Sequence, residues 1–180
     1  GLGLNPGSTS SSIYDVIINN KEINTCITKT EIDFLDILPS NSKLAGAEIE
    51  LVSMFTRESI LKDVLNKVKG KYKYIIIDSP PSLGLLTVNV LTASDSIIIP
   101  IQCEYYALEG LSQLLNTIRL VQKKLNPNLR IEGILTTMYD NRLNLSREVV
   151  KELKEYFGDK VYQTTICRNV RLGEAPSHGK

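Results

Sequence analysis

The residues best placed to do chemistry stand at the end of a short apolar run, Tyr74-Ile75-Ile76-Ile77, which closes on Asp78 and turns through Ser79-Pro80-Pro81-Ser82-Leu83-Gly84. β-Branched and aromatic residues in succession, cut off by Asp and a proline pair, predict a buried strand that stops abruptly. In parallel α/β sheets, ligands bind in the crevice outside the carboxyl ends of the strands. A carboxylate there can hold Mg²⁺, or a water, on a phosphate. That is the arrangement of a Walker B acid. The same Asp could equally cap the helix that follows, and the segment alone leaves both roles open.

The elements that must position Asp78 alternate in type. A short helix is expected around Ser12 to Ile18, another within Ile23 to Thr28, and a strand over Phe34 to Leu38, closed by Pro39. Ala45 to Phe55 reads as a helix rich in Ala and Leu. Ile60, Leu61, Val64, Leu65 and Val68 share one helical face, with Gly70 placed to end that helix. Beyond the Asp78 turn, Leu83 to Leu91 is almost continuously apolar, as a helix packed on two sides would be, and Ser96 to Ile101 is a second buried strand. Tyr105 to Leu125 is the longest predicted helix, with Leu108, Leu111, Leu115, Ile118, Val121 and Leu125 three or four apart. Strand Ile131 to Tyr139, helix Leu145 to Phe157 ended by Gly158, and strand Val161 to Ile166 complete the order. Such alternation predicts a layered α/β domain with a mainly parallel sheet.

With 180 residues, 42% of them apolar, the chain can bury a real core as one domain. Its 21 basic and 20 acidic residues leave a net charge of +1, so an anionic partner must be met by a local patch. Cys26, Cys103 and Cys167 are odd in number and far apart, which argues against a disulfide framework and fits a reducing cytosol. No metal-ligand spacing occurs, and no apolar run approaches the length that spans a bilayer. Gly1 to Ser12 is rich in Gly and Ser and, on composition alone, reads as a flexible linker.

Several ordered runs carry a resemblance. Asp78-Ser79-Pro80-Pro81-Ser82-Leu83-Gly84-Leu85-Leu86, then Ala93-Ser94-Asp95-Ser96, then Ile99 to Gly110, together with Leu44 to Leu51 and Arg168 to Leu172, are similar to the ParA/Soj chromosome- and plasmid-partitioning ATPases. The likeness covers practically the whole chain. It implies an α/β, layered P-loop NTPase-like fold incomplete at both ends: residues 1–180 would be a single truncated ATPase domain. The deviant Walker A loop with its two lysines would lie before Gly1, and the last strand and helix beyond Lys180. Gly1 to Ser12 would then be the tail of a turn leading into the first helix. The 180 residues by themselves are expected neither to bind nor to hydrolyse ATP detectably, and to be only marginally folded with sheet edges and apolar faces uncovered.

The resemblance also assigns roles. ATP and Mg²⁺ are the implied cofactors, with Asp78 touching the metal directly or through a water, and Ser79 and Pro80 in a switch turn that senses the γ-phosphate. Thr165-Ile166-Cys167-Arg168-Asn169 corresponds to an adenine-contacting segment, with Cys167 where Pro is usual. Asn169 can read an adenine edge, or simply open the next helix as a turn residue. Arg142 and Arg171 correspond to contacts made to DNA without sequence preference. Arg142 precedes a predicted helix whose N-terminal amides also favour a phosphate, and Arg171 follows Arg168 closely; an isolated exposed Arg is more often merely solvated. Gly173 stands where Ser is frequent and makes the helix after Asn169 less secure.

The implied protein is a homodimer on ATP, cytoplasmic and nucleoid-associated, released from DNA when a ParB/Spo0J-like activator stimulates hydrolysis, with no membrane partner. Two alternatives remain. One is a membrane-associated positioning ATPase of the MinD type, which needs an amphipathic C-terminal helix, although the Gln102 to Gly110 run is the partition type. The other is a non-catalytic interaction module, if the Walker A loop is truly lacking. A related iron-sulfur reductase would need clustered cysteines, and Cys103 and Cys167 lie in the wrong motifs for it.

Overall fold

A computed structural model describes residues 11–80, 82–104 and 107–175. They fall into two compact units divided after Ala93, the second running to Gly173. In the first unit, helix α1 (Ile13–Ile17) starts where the Asp15 carboxylate accepts hydrogen bonds from the Ser12 amide at 2.8 Å and the Ser12 hydroxyl at 3.1 Å. This occupies donors that a helix start otherwise leaves unpaired. A 3₁₀ turn (Ile23–Thr25), a two-residue antiparallel ribbon of β1 (Thr28–Lys29) and β2 (Asp36–Ile37), and helices α2 (Leu44–Leu51), α3 (Ile60–Asn66) and α4 (Leu85–Ala93) follow. Val16, Ile23, Cys26, Val64 and Val68 form its core, with Ile13, Ile27, Leu38, Leu65 and Tyr72 packed against them.

α3 and α4 are joined by a buried polar residue with its bonds made. Asn89 Oδ1 accepts from the Leu61 amide at 3.1 Å, while Nδ2 donates to the carbonyls of Arg57 at 2.6 Å and Leu85 at 3.0 Å. A buried amide placed this way fixes the registry of two short helices, because breaking any of these bonds would leave a desolvated group.

The second unit is built on strands β3 (Ser96–Gln102), β4 (Arg130–Tyr139) and β5 (Val161–Cys167), in the order β3-β4-β5 and parallel throughout. Helix α5 (Ala107–Lys124) connects β3 to β4 and packs on β3; α6 (Asn144–Phe157) connects β4 to β5 and packs on β5. The layered α/β arrangement expected from the alternation is therefore present. The three-or-four spacing along α5 buries Leu111, Ile118 and Val121, and the core also takes Ile99, Ile101, Ile134, Val149, Leu153 and Val161. Gly158, with φ +52°, ends α6 where sequence placed its stop. A short helix α7 (Val170–Glu174) follows β5.

Three expectations are corrected. The predicted strand at Tyr74–Ile77 is absent: residues 74–80 have no regular structure, since a strand exists only by pairing its backbone and none of the described strands pairs with this run. The strand over Phe34–Leu38 shrinks to Asp36–Ile37, because Phe34 takes a left-handed conformation with φ +64° that turns the chain. The helix expected over Ala45–Phe55 ends at Leu51, where the Ser53 and Met54 amides donate to the carbonyls three residues back, Glu50 at 3.3 Å and Leu51 at 3.0 Å, and tighten the chain into a turn. The start expected for α5, Tyr105 and Tyr106, lies outside the described residues, as does Gly1 to Ser10.

Candidate functional site

Of the residues singled out by sequence, Asp78, Ser79 and Pro80 belong to the first unit. All three are exposed, and Asp78 forms no hydrogen bond or ion pair with any described residue. This bears on its two open roles. A helix cap would have its carboxylate on the first amides of α4, and Asp78 does not. That position is filled by Glu48 of α2, a residue sequence reasoning missed. Its Oε1 accepts from the Ser82 hydroxyl at 3.5 Å and the Leu86 amide at 3.4 Å, and its carboxylate packs so closely on Gly84 that a Cβ there would clash with it. Glu48 sits within the Leu44–Leu51 run, three residues before the buried Leu51, and nothing near it in the sequence signals this contact. The turn after Asp78 is thus held by a neighbouring helix while Asp78 stays uncommitted.

An uncommitted carboxylate suits Mg²⁺. That ion keeps several waters and is taken by one or two carboxylates plus substrate phosphates rather than by an all-protein cage. Among the described residues no group of three or more His, Cys, Asp or Glu side chains could enclose a metal, so Asp78 offers a single-carboxylate contact of this kind and nothing more.

The other candidates gather in the second unit. Parallel strands place all three carboxyl ends at one sheet edge: β3 leads there into Cys103 and Glu104, β4 into Asp140 and Arg142, and β5 into Arg168 and Asn169. The Arg168 amide donates to the Tyr139 carbonyl at 3.0 Å, and the Cys103 amide to the Thr137 carbonyl at 3.1 Å, extending the ladder past the strands. β4 is irregular close by: Met138 has φ +51° and the pairing with β5 slips between Thr136 and Tyr139. Such bulges re-aim the side chains at a strand's end.

Arg142 is half committed. Its Nε and NH2 donate side-on to Asp140 Oδ1 and Oδ2 at 2.9 and 2.6 Å, and its amide also reaches Oδ1 at 3.0 Å. The guanidinium hydrogen bonds, together with the charge of Arg168, hold the Asp140 carboxyl down to about 2. Asp140 is largely covered, with 14% of its side chain exposed, against 83% for Arg142. The outer edge of the fork therefore faces solvent in a fixed plane. Asp140 is another residue missed by sequence, although an Asp two positions before an Arg in a turn is a recognisable local pair.

Arg168 pairs with Glu104 at 3.3 Å, with both side chains mostly exposed. Asn169 Oδ1 accepts from the Arg171 amide at 2.9 Å, so its role as the turn residue that opens α7 is realised. Cys167 and Arg171 are exposed, and Cys103 is buried, which pushes its thiol up from the ordinary range. The structure thus assembles Cys167, Arg168, Asn169 and Arg142 on one edge.

A family model described as an AAA domain matches residues 1–131. The chain is 59% identical over all 180 residues to the sporulation initiation inhibitor protein Soj of Bacillus subtilis, spanning 71% of that protein. It is 50% identical over 180 residues to the chromosome partitioning protein ParA of Myxococcus xanthus, spanning 64% of it. The chain belongs to the ParA/Soj family of partitioning ATPases. Among solved structures, this ParA/Soj chain superposes with a TM-score of 0.85 and 35% identity on cobyrinic acid a,c-diamide synthase of Mycobacterium smegmatis, crystallised with ADP and magnesium, covering 99% of this chain and 78% of that one. The layered P-loop NTPase-like fold expected from sequence is thereby shown. No helix among the described residues is long and apolar enough to cross a membrane.

Proposed function

We propose that this ParA/Soj chain works as a nucleotide-switched ATPase of chromosome or plasmid partition. It dimerises on ATP and Mg²⁺, binds DNA without sequence preference, and leaves the DNA when a ParB-like activator stimulates hydrolysis in the cytoplasm. The observation that carries this reading is the likeness along all 180 residues to partition proteins, within which Asp78 is an exposed carboxylate with no described partner. Magnesium would spread the charge of the transferring phosphoryl group. Asp78 holds that ion directly or through a water, and the turn of Ser79 and Pro80 responds to the γ-phosphate. Cys167, Arg168 and Asn169 face the adenine. Because Asn169 Oδ1 already accepts from the Arg171 amide, its NH₂ group is the part offered to a ring nitrogen.

Arg142 and Arg171 contact DNA phosphates. The outer edge of the Arg142 fork is presented in a plane fixed by Asp140, which lowers the rotamer entropy given up on binding. Replacing either by Ala in the complete protein is expected to weaken binding to all sequences alike and to lower the salt-dependence slope by about 0.9 for each phosphate no longer neutralised. An unchanged slope removes that residue from the DNA face. In the complete protein, Asp78→Ala is expected to abolish Mg²⁺-dependent hydrolysis, and full activity in that variant would refute the assignment of the metal contact.

A further inference from the structure

The last turn of β4 and the outer flank of α6 enclose an open cleft of about 430 Å³ lined by Tyr139, Arg147, Val150, Lys151, Lys154 and Glu155. Its charges are sorted. At about 100° per residue, Arg147, Lys151 and Lys154 fall within about 60° of one another on the helix, whereas Glu148 and Glu152 lie roughly 100–140° round from Arg147. Three cations and one acid therefore line the cleft, although α6 as a whole carries three residues of each sign.

The cations are only lightly held. Arg147 NH2 donates to the neutral Asn144 side chain at 2.6 Å, and the Lys151–Glu155 pair is 3.8 Å apart with both side chains mostly exposed. An exposed pair of that kind contributes little. Lys154 has no ion pair with any described residue. Tyr139 lines the cleft and stands three residues before Arg142, whose exposed fork lies on the loop that feeds α6.

We propose that this cleft is a second DNA track: the phosphate backbone of a duplex, engaged first at Arg142, runs along Arg147, Lys151 and Lys154. The proposal rests on the DNA-binding reading above and extends it to residues that reading did not use. A small buried anion is a poorer occupant, because the cleft is open and its cations are exposed. Three cations spread over about 10.5 Å of helix meet instead a duplex that carries about one charge per 1.7 Å of axis.

The test is binding of a labelled random-sequence duplex by the complete protein in ATP and Mg²⁺, measured across a salt series. The triple variant Arg147→Gln, Lys151→Gln, Lys154→Gln keeps helix-forming residues at exposed positions. It is expected to weaken binding about tenfold or more at low salt and to lower the slope by about 2–3, at about 0.9 per phosphate. Glu148→Gln with Glu152→Gln should leave the slope unchanged. Should the triple variant fail to fold by circular dichroism, Lys151→Gln alone serves, with a slope lower by about 0.9 expected. A triple variant with wild-type slope, beside an Arg142→Ala that lowers it, overturns the track and leaves the DNA reading standing. If the wild-type protein shows no salt-dependent duplex binding at all, the DNA reading fails and takes the track with it. Loss of binding to vesicles of anionic lipid, with duplex binding intact, overturns the track in favour of a membrane surface.

Discussion

Two stretches of this chain read almost alike and end in opposite conditions. Ile75-Ile76-Ile77 precedes Asp78, and Ile97-Ile98-Ile99 precedes Pro100. In the second, Ile99 is 2% exposed and every residue from Ser96 to Gln102 has a partner on β4. In the first, Ile76 is 93% exposed and residues 74–80 have no regular structure. Apolar, β-branched residues supply a preference for a half-buried pleated surface, not the surface itself. What separates the runs is a neighbouring backbone: β4 offers one to β3, and no described strand offers one to residues 74–78.

The largest test of this contrast is truncation. Ile99→Ala is expected to cost about 2–5 kcal/mol in urea unfolding, while Ile76→Ala should change stability by no more than about 0.5 kcal/mol. A cost at Ile76 matching that at Ile99 would mean the first run is covered in solution. Next comes the middle of the sheet, where Thr136 is fully buried and its Oγ1 is, among the described residues, a buried atom without a hydrogen-bond partner. Thr136→Val is therefore expected to raise stability by about 1–3 kcal/mol, by removing an uncompensated desolvation. Destabilisation instead would show that the hydroxyl has a partner, such as an ordered water.

Beside the Asp78 run the contact to challenge is Glu48 on Gly84. Gly84→Ala should cost about 1 kcal/mol, and less when combined with Glu48→Ala, giving a coupling of about 0.5 kcal/mol or more in the double-mutant cycle. Strict additivity would show that the two do not meet. The smallest effect is expected at the edge of the sheet, from pH. Because folding lowers the Asp140 pKa to about 2 from 3.8, its pair with Arg142 contributes above pH 3.8 and is lost as pH falls through about 2. Following the Asp140 carboxyl carbon by NMR should show a titration near the lower value, moving up toward the ordinary range in Arg142→Ala. No movement would assign the shift to another cause.

Much of the second unit was legible in advance. β3 was expected over Ser96–Ile101 and runs Ser96–Gln102; α6 was expected over Leu145–Phe157 and runs Asn144–Phe157. In these stretches local preference, apolar period and stop signals agree. The candidate site was legible by residue type alone: Arg142 could be singled out, but not Asp140 folding back on it, and Asn169 was open between two uses until its Oδ1 was found on the Arg171 amide. Glu48 was invisible as a partner of the Ser82–Leu86 turn, because 34 residues separate it from Ser82 and nothing local advertises the contact.

By itself the order of residues determined which segments have the period and punctuation of helices, which residue types sit beyond the strand ends, and membership of a partitioning family. Those properties depend on near neighbours along the chain and on shared ancestry. Tertiary structure decided which apolar run becomes a strand, which carboxylate remains uncommitted, and which arginine is held in one plane. The first two need a group brought from elsewhere in the chain and the third a turn that folds Asp140 back on Arg142, and backbone pairing, capping and ion pairing act only over a few ångströms once the groups have met.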